Sequence, residues 1–146
     1  MSRHYWIGLL LALALTGCGS AAGVPSVPSD NPTITLGQEF QVAVGHTATL
    51  SAGNVRVVFN GVSEDSRCPA GAQCAWAGQA VVQISVSLPN AQPVGYNLVL
   101  GGSVPASDTA AAGLYSIRLR ALDPLGAEGE TIRPGDYVAT LLITKR

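Results

Sequence analysis

The residues best suited to chemistry are Cys18, Cys68 and Cys74, the charged group Glu64, Asp65 and Arg67, and Trp76. Cys18 closes the run Leu15-Thr16-Gly17-Cys18, an aliphatic residue, two small ones and then a thiol. This is the lipobox pattern. Small residues suit a peptidase cleft that admits little side chain before the cut, and the thiol accepts a diacylglyceryl group. An ordinary signal peptide with a cysteine by chance at its cleavage site is the alternative. Three cysteines in an exported chain leave one over, which asks for an explanation that acylation of Cys18 supplies.

Cys68 and Cys74 then remain to pair with each other, as an oxidising compartment favours. A metal held by their thiolates needs further His or Cys ligands, and after Cys18 the chain offers only His46. Calcium could take oxygens of Glu64, Asp65 and loop carbonyls, but no spaced Asp/Asn series accompanies them. Redox pairs sit two residues apart at a helix start; here five residues intervene and no helical pattern follows. The expectation is therefore no bound metal and no cofactor.

Trp76 follows the second cysteine closely and is expected to plug the core over the disulfide; serving as a ligand platform is the alternative. Glu64, Asp65 and Arg67 read either as a solvated turn with a local ion pair worth under about 1 kcal/mol, or, with Trp76, as a surface offered to a partner. Aromatic and arginine side chains dominate binding hot spots, and a rigid loop loses little entropy on binding.

An enzyme needs a fuller constellation. A nucleophile usually has a histidine and an orienting carboxylate, and His46 sits in a turn signal with no signature around it. Glu64 and Asp65 are adjacent, so on a strand they point to opposite faces and make a poor glycosidase pair. Gly101-Gly102 has no following lysine or helix to make a phosphate loop.

The elements that must position these residues read as strands. From Ile34 onward the dominant period is two: Phe40, Val42, Val44; Val55, Val57, Phe59; Ala80 through Leu88; Tyr96, Leu98, Leu100; Tyr115, Ile117, Leu119; and Tyr137, Ala139, Leu141, Ile143. Such alternation puts one face in a core and one in water. Turn signals separate the runs at Gly45-His46, Ala52-Gly53-Asn54, Asn60-Gly61, Pro89-Asn90, Gly101-Gly102, Asp123-Pro124 and Pro134-Gly135-Asp136. About seven short strands predict an all-β fold, an immunoglobulin-like antiparallel β-sandwich, with a small barrel as the alternative. Ala106 to Gly113 is alanine-rich and is read alternatively as one helical turn. Pro134-Gly135-Asp136-Tyr137 resembles the last turn of many sandwich domains, where the tyrosine hydroxyl ties turn to core. The loop 60–78 is expected to join two strong strands.

Ahead of the domain, residues 1–17 read as a signal peptide. The apolar run Ile7–Leu15 rises only about 14 Å as a helix, too short to span a bilayer. Residues 18–33 read as the lipidated cysteine and a Gly/Ser/Ala/Pro linker, which cannot bury enough apolar surface to become ordered. Gly19 and Ser20, with no aspartate, favour the outer membrane in a Gram-negative envelope. Residues 34–146 form the single domain. Charged residues are 12% of the chain and the net charge is -1, which lacks the basic face that nucleic acid requires.

The stretch Glu64-Asp65-Ser66-Arg67-Cys68-Pro69, then Cys74, then Trp76-Ala77-Gly78, resembles the signature of a family of small uncharacterised bacterial lipoproteins. Tyr115-Ser116-Ile117-Arg118-Leu119 with Leu122-Asp123-Pro124, and Asp136 to Leu141, are similar to the same family, so the likeness covers most of the domain. It implies export, lipidation and a β domain, and no activity. The expected function is a membrane-anchored binding module of the cell envelope, held by lipid at Cys18, with an envelope protein or glycan as partner. A passive structural component is the alternative, ahead of a hydrolase or calcium binder.

Overall fold

The computed structural model describes residues 31–102 and 108–146. The expected signal peptide, acylated Cys18 and most of the linker lie outside the described residues. Among the described residues nine strands form: β1 Thr33–Ile34, β2 Glu39–Ala43, β3 Thr47–Leu50, β4 Val55–Asp65, β5 Gln79–Ser87, β6 Val94–Gly101, β7 Thr109–Ala112, β8 Tyr115–Asp123 and β9 Val138–Lys145. They make a five-stranded sheet ordered β1-β3-β4-β5-β6 and a four-stranded sheet ordered β2-β9-β8-β7. Pairing is antiparallel except between β1 and β3. The two sheets do not close into a barrel, and the architecture is the expected β-sandwich, its sheets built from the consecutive strands β3 to β6 and β7 to β9.

The core follows the alternation. Val55, Val57 and Phe59 of β4, Ala80, Val82, Ile84 and Val86 of β5, Ile117 and Leu119 of β8, and Ala139, Leu141 and Ile143 of β9 are all buried. Their polar neighbours in sequence face water, as period two requires.

Several local expectations are corrected. Asn60-Gly61 is no hairpin turn: β4 runs through it to Asp65, with register shifts at Phe59/Gly61 and Val62/Glu64. Each shift is a bulge, which bends a strand without ending it, so the connecting loop begins at Ser66. The alanine-rich stretch is strand β7 from Thr109, antiparallel to β8, and not a helical turn. Ladder pairing there outweighs the helix propensity of three alanines. The sheet also starts one residue before the expected boundary, because Thr33 pairs with Thr49, while Asn31 Oδ1 accepts the Thr47 N–H at 3.2 Å.

Candidate functional site

The two bulges of β4 decide where the charged residues point. Residues directly opposite in an antiparallel pair share a face. Asp65 lies opposite the buried Ala80, on the inner face, and Glu64 lies opposite Val81, on the outer face. The adjacent carboxylates therefore diverge, as their strand spacing predicts.

On the inner side Arg67 turns back on Asp65. Its Nε and Nη2 donate to the two carboxylate oxygens at 2.8 and 2.7 Å, and its backbone N–H donates to Oδ1 at 3.2 Å. Nη1 donates to the Leu122 carbonyl, and Nη2 also donates to the Pro124 carbonyl at 2.8 Å. The Tyr137 hydroxyl donates to Asp65 Oδ2 at 3.1 Å. The expected tie from that tyrosine thus exists, with Asp65 as its acceptor. The side chains of Arg67 and Asp65 are only 11% and 15% exposed. Both are occupied within the chain, so they brace the loop and are not its outward contacts. This replaces the solvated-turn reading for the pair.

Burial pushes the Asp65 carboxyl up, but the Arg67 hydrogen bonds and charge, with the Tyr137 hydroxyl, bring it below its ordinary value of 3.8. Burial, aided by the Asp65 contact, pushes the Tyr137 hydroxyl above 10.0. A carboxylate depressed on folding stabilises the fold above its unfolded value, and that contribution is lost as pH falls through the folded one. A phenol raised on folding works in reverse: its contribution is complete below pH 10 and declines above. Urea unfolding of the native chain should therefore lose stability below about pH 4, and the gap between it and Asp65→Asn should narrow there. A constant gap down to pH 2 would show that the carboxylate is not held this way.

The hairpin ladder continues past the strands. Ser66 N–H donates to the Gln79 carbonyl at 2.7 Å and Cys68 N–H to the Ala77 carbonyl at 2.9 Å. Gly78 takes φ +69°, and a Cβ there would overlap the Ser66 carbonyl, so only glycine fits this approach. Cys68 and Cys74 form a disulfide with Cα atoms 5.9 Å apart. Ala70 N–H donates to the Gly126 carbonyl at 2.9 Å, and Ala70 and Ala127 form a parallel bridge. The loop is thereby stitched to the segment that follows β8.

Trp76 is 77% exposed, so the expectation that it plugs the core is overturned. On the inner side of the loop stand Tyr137 and the Asp65–Arg67 pair, not the indole. Trp76 instead borders a cleft of about 420 Å³ whose wall includes Glu64, Ser66, Ala77, Gly78 and Gln79. A second cleft of about 250 Å³ lies on the inner side, with Asp65, Arg67, Tyr137, Glu130 and Ile132 in its wall. Of the four residues singled out in sequence, Glu64 and Trp76 share the outer cleft, while Asp65 and Arg67 form the brace. Sequence reasoning missed Ser66 and Gln79, whose signal was their place flanking the charged residues and the glycine. It also missed the carbonyl acceptors of Leu122 and Pro124, which no side-chain pattern marks.

Among the described residues no group of three or more His, Cys, Asp or Glu is arranged to hold a metal ion. No described helix is long and apolar enough to cross a membrane. Comparison of the chain with protein families, with curated proteins and with solved structures finds no match.

Proposed function

We propose that this chain is a membrane-anchored envelope lipoprotein whose β-sandwich works as a binding module through its disulfide-braced loop. The observation that carries this reading is the exposure of Trp76, at 77%, on a loop held rigid from both sides. An exposed large aromatic beside a cleft costs solvation unless something covers it, and aromatic anchors on pre-organised loops are where binding energy concentrates. The lipobox at Cys18 and the resemblance to small lipoproteins support the address. Two or three acyl chains, at about 0.8 kcal/mol per buried CH₂, hold such a domain at a membrane almost permanently.

The test compares the native chain, Cys18→Ser and Trp76→Ala in membranes. Mass analysis of the native protein should find acylated Cys18 as its first residue, and Cys18→Ser should leave the membrane fraction. Trp76→Ala should keep its melting behaviour within about 0.5 kcal/mol, as surface substitutions do, yet lose cross-links to its envelope partner. Unchanged cross-linking in Trp76→Ala would favour a passive structural role.

A further inference from the structure

The chemistry left unspent in the outer cleft defines what it can take. Ser66 Oγ donates to the Gln79 carbonyl at 3.1 Å and accepts the Gln79 N–H at 3.3 Å, so the hydroxyl is consumed within the hairpin. Gln79 Nε2 donates to Glu64 Oε1 at 3.5 Å, which turns the amide donor toward the carboxylate. The Gly78 and Ala77 carbonyls accept from Gly102 and Cys68. Among the described residues, what remains is the second oxygen of Glu64 and the Gln79 Oε1 as acceptors, the second Gln79 amide N–H and the Trp76 indole N–H as donors, and the open face of Trp76. Glu64 is the charged residue of the cleft wall, and among the described residues it has no ion pair, like Asp123, Glu128 and Glu130 and unlike Asp65, Asp108, Glu39 and Asp136.

A carboxylate and an indole face attract the same kind of ligand. The ring quadrupole favours a cation over its face, and the carboxylate adds a Coulomb term and accepts N–H donors. A neutral sugar is less suited, because it would desolvate the Glu64 carboxylate without compensating its charge.

We infer that the Trp76–Glu64 cleft binds an organic ammonium ion, with Trp76 covering its apolar faces and Glu64 compensating its charge. This rests on the loop being a binding surface and names the ligand class that surface selects. The same chemistry occurs in a small quaternary ammonium compound and in a lysine side chain of a protein partner.

The probes are choline, its uncharged isostere 3,3-dimethylbutan-1-ol, Nα-acetyl-lysine amide and N-acetylglucosamine, titrated against the native chain by ligand-observed NMR. Choline or the lysine amide should bind about tenfold more tightly than the uncharged isostere, the combined effect of an exposed cation–π contact and a surface charge pair. Glu64→Gln should remove most of that preference, Trp76→Ala should abolish binding, and added salt should weaken it. Tighter binding of choline identifies the small-molecule source, and tighter binding of the lysine amide a protein one. Equal affinity for the charged and uncharged isosteres, or binding of the sugar alone, would overturn the inference while leaving the binding module standing. Cross-linking that ignores Trp76→Ala would remove the module itself. Both substitutions are at exposed positions, so a folded variant is expected in each case.

Discussion

Arg67→Ala is expected to lower the stability of the domain by about 3 kcal/mol, a fall in Tm of roughly 10–15 °C for a chain of this size. The loss exceeds that of a surface ion pair because several groups are orphaned together. Asp65 loses its bidentate partner while 15% exposed, and the Leu122 and Pro124 carbonyls lose their donor. A fully buried charge left unpaired costs about 3–5 kcal/mol; this pair is only partly buried, and the two orphaned carbonyls bring the total to about 3 kcal/mol. Arg67→Lys should recover less than half, because an ammonium cannot form the fork onto Asp65 and reach two carbonyls as well. The double variant Asp65→Ala/Arg67→Ala should be less destabilised than the sum of the single variants, since removing both partners leaves no lone charge. A loss under about 1 kcal/mol for Arg67→Ala in chemical denaturation would class the pair with ordinary surface pairs and refute the bracing role.

The second large effect concerns the disulfide. Cys68→Ser/Cys74→Ser should cost about 2 kcal/mol by loop-closure entropy for a short loop, given a sequence separation of 6. The hairpin ladder at Ser66–Gln79 and the brace at Arg67 do not depend on the bond, so the strands should stay intact and the change should be confined to the loop tip. Protease should then cut between Pro69 and Ala75 in the double serine variant while sparing the oxidised chain. Reduction of the native protein should reproduce both results. Equal cleavage with and without the bond would mean that the stitching at Ala70 and Gly126 already holds the tip, leaving the disulfide little to add.

The strands were legible because period two survives wherever one face is buried, and Val55, Val57 and Phe59 or Tyr137 to Ile143 read off without ambiguity. Legibility failed where the period is broken or short. Bulges in β4 displace the phase at Asn60-Gly61, so a turn signal stands inside a strand; in β8 the shift between Leu119 and Ala121 moves the buried position to Leu122. Strand β7, with its three alanines, is defined by its partner β8 and carries no hydrophobic contrast of its own. At the site, the pairing of the cysteines followed from counting them. The inward turn of Arg67 and the exposure of Trp76 did not follow; the arginine's partners, the Leu122 and Pro124 carbonyls at the end of β8, lie 55 and 57 positions away. Residue type grouped the arginine with the tryptophan as one candidate surface, and tertiary packing turned Arg67 onto Asp65 while leaving Trp76 in solvent.

The parallel seam between β1 and β3 has a mechanical meaning. Any pull on the chain upstream of Asn31 is borne first by two paired residues, the Pro32 carbonyl on the Thr49 N–H, and the Asn31 contact to Thr47. Ile34, at 6% exposure, is the buried side chain that β1 brings to that seam, opposite Leu50 of β3. Under load the seam should peel while β2, zipped along five residues to β9, holds. Releasing Asn31 to Leu36 pays out about 20 Å of extended chain. In a chain held at Cys18 as proposed, this seam would act as a short slack line that yields before the sandwich does.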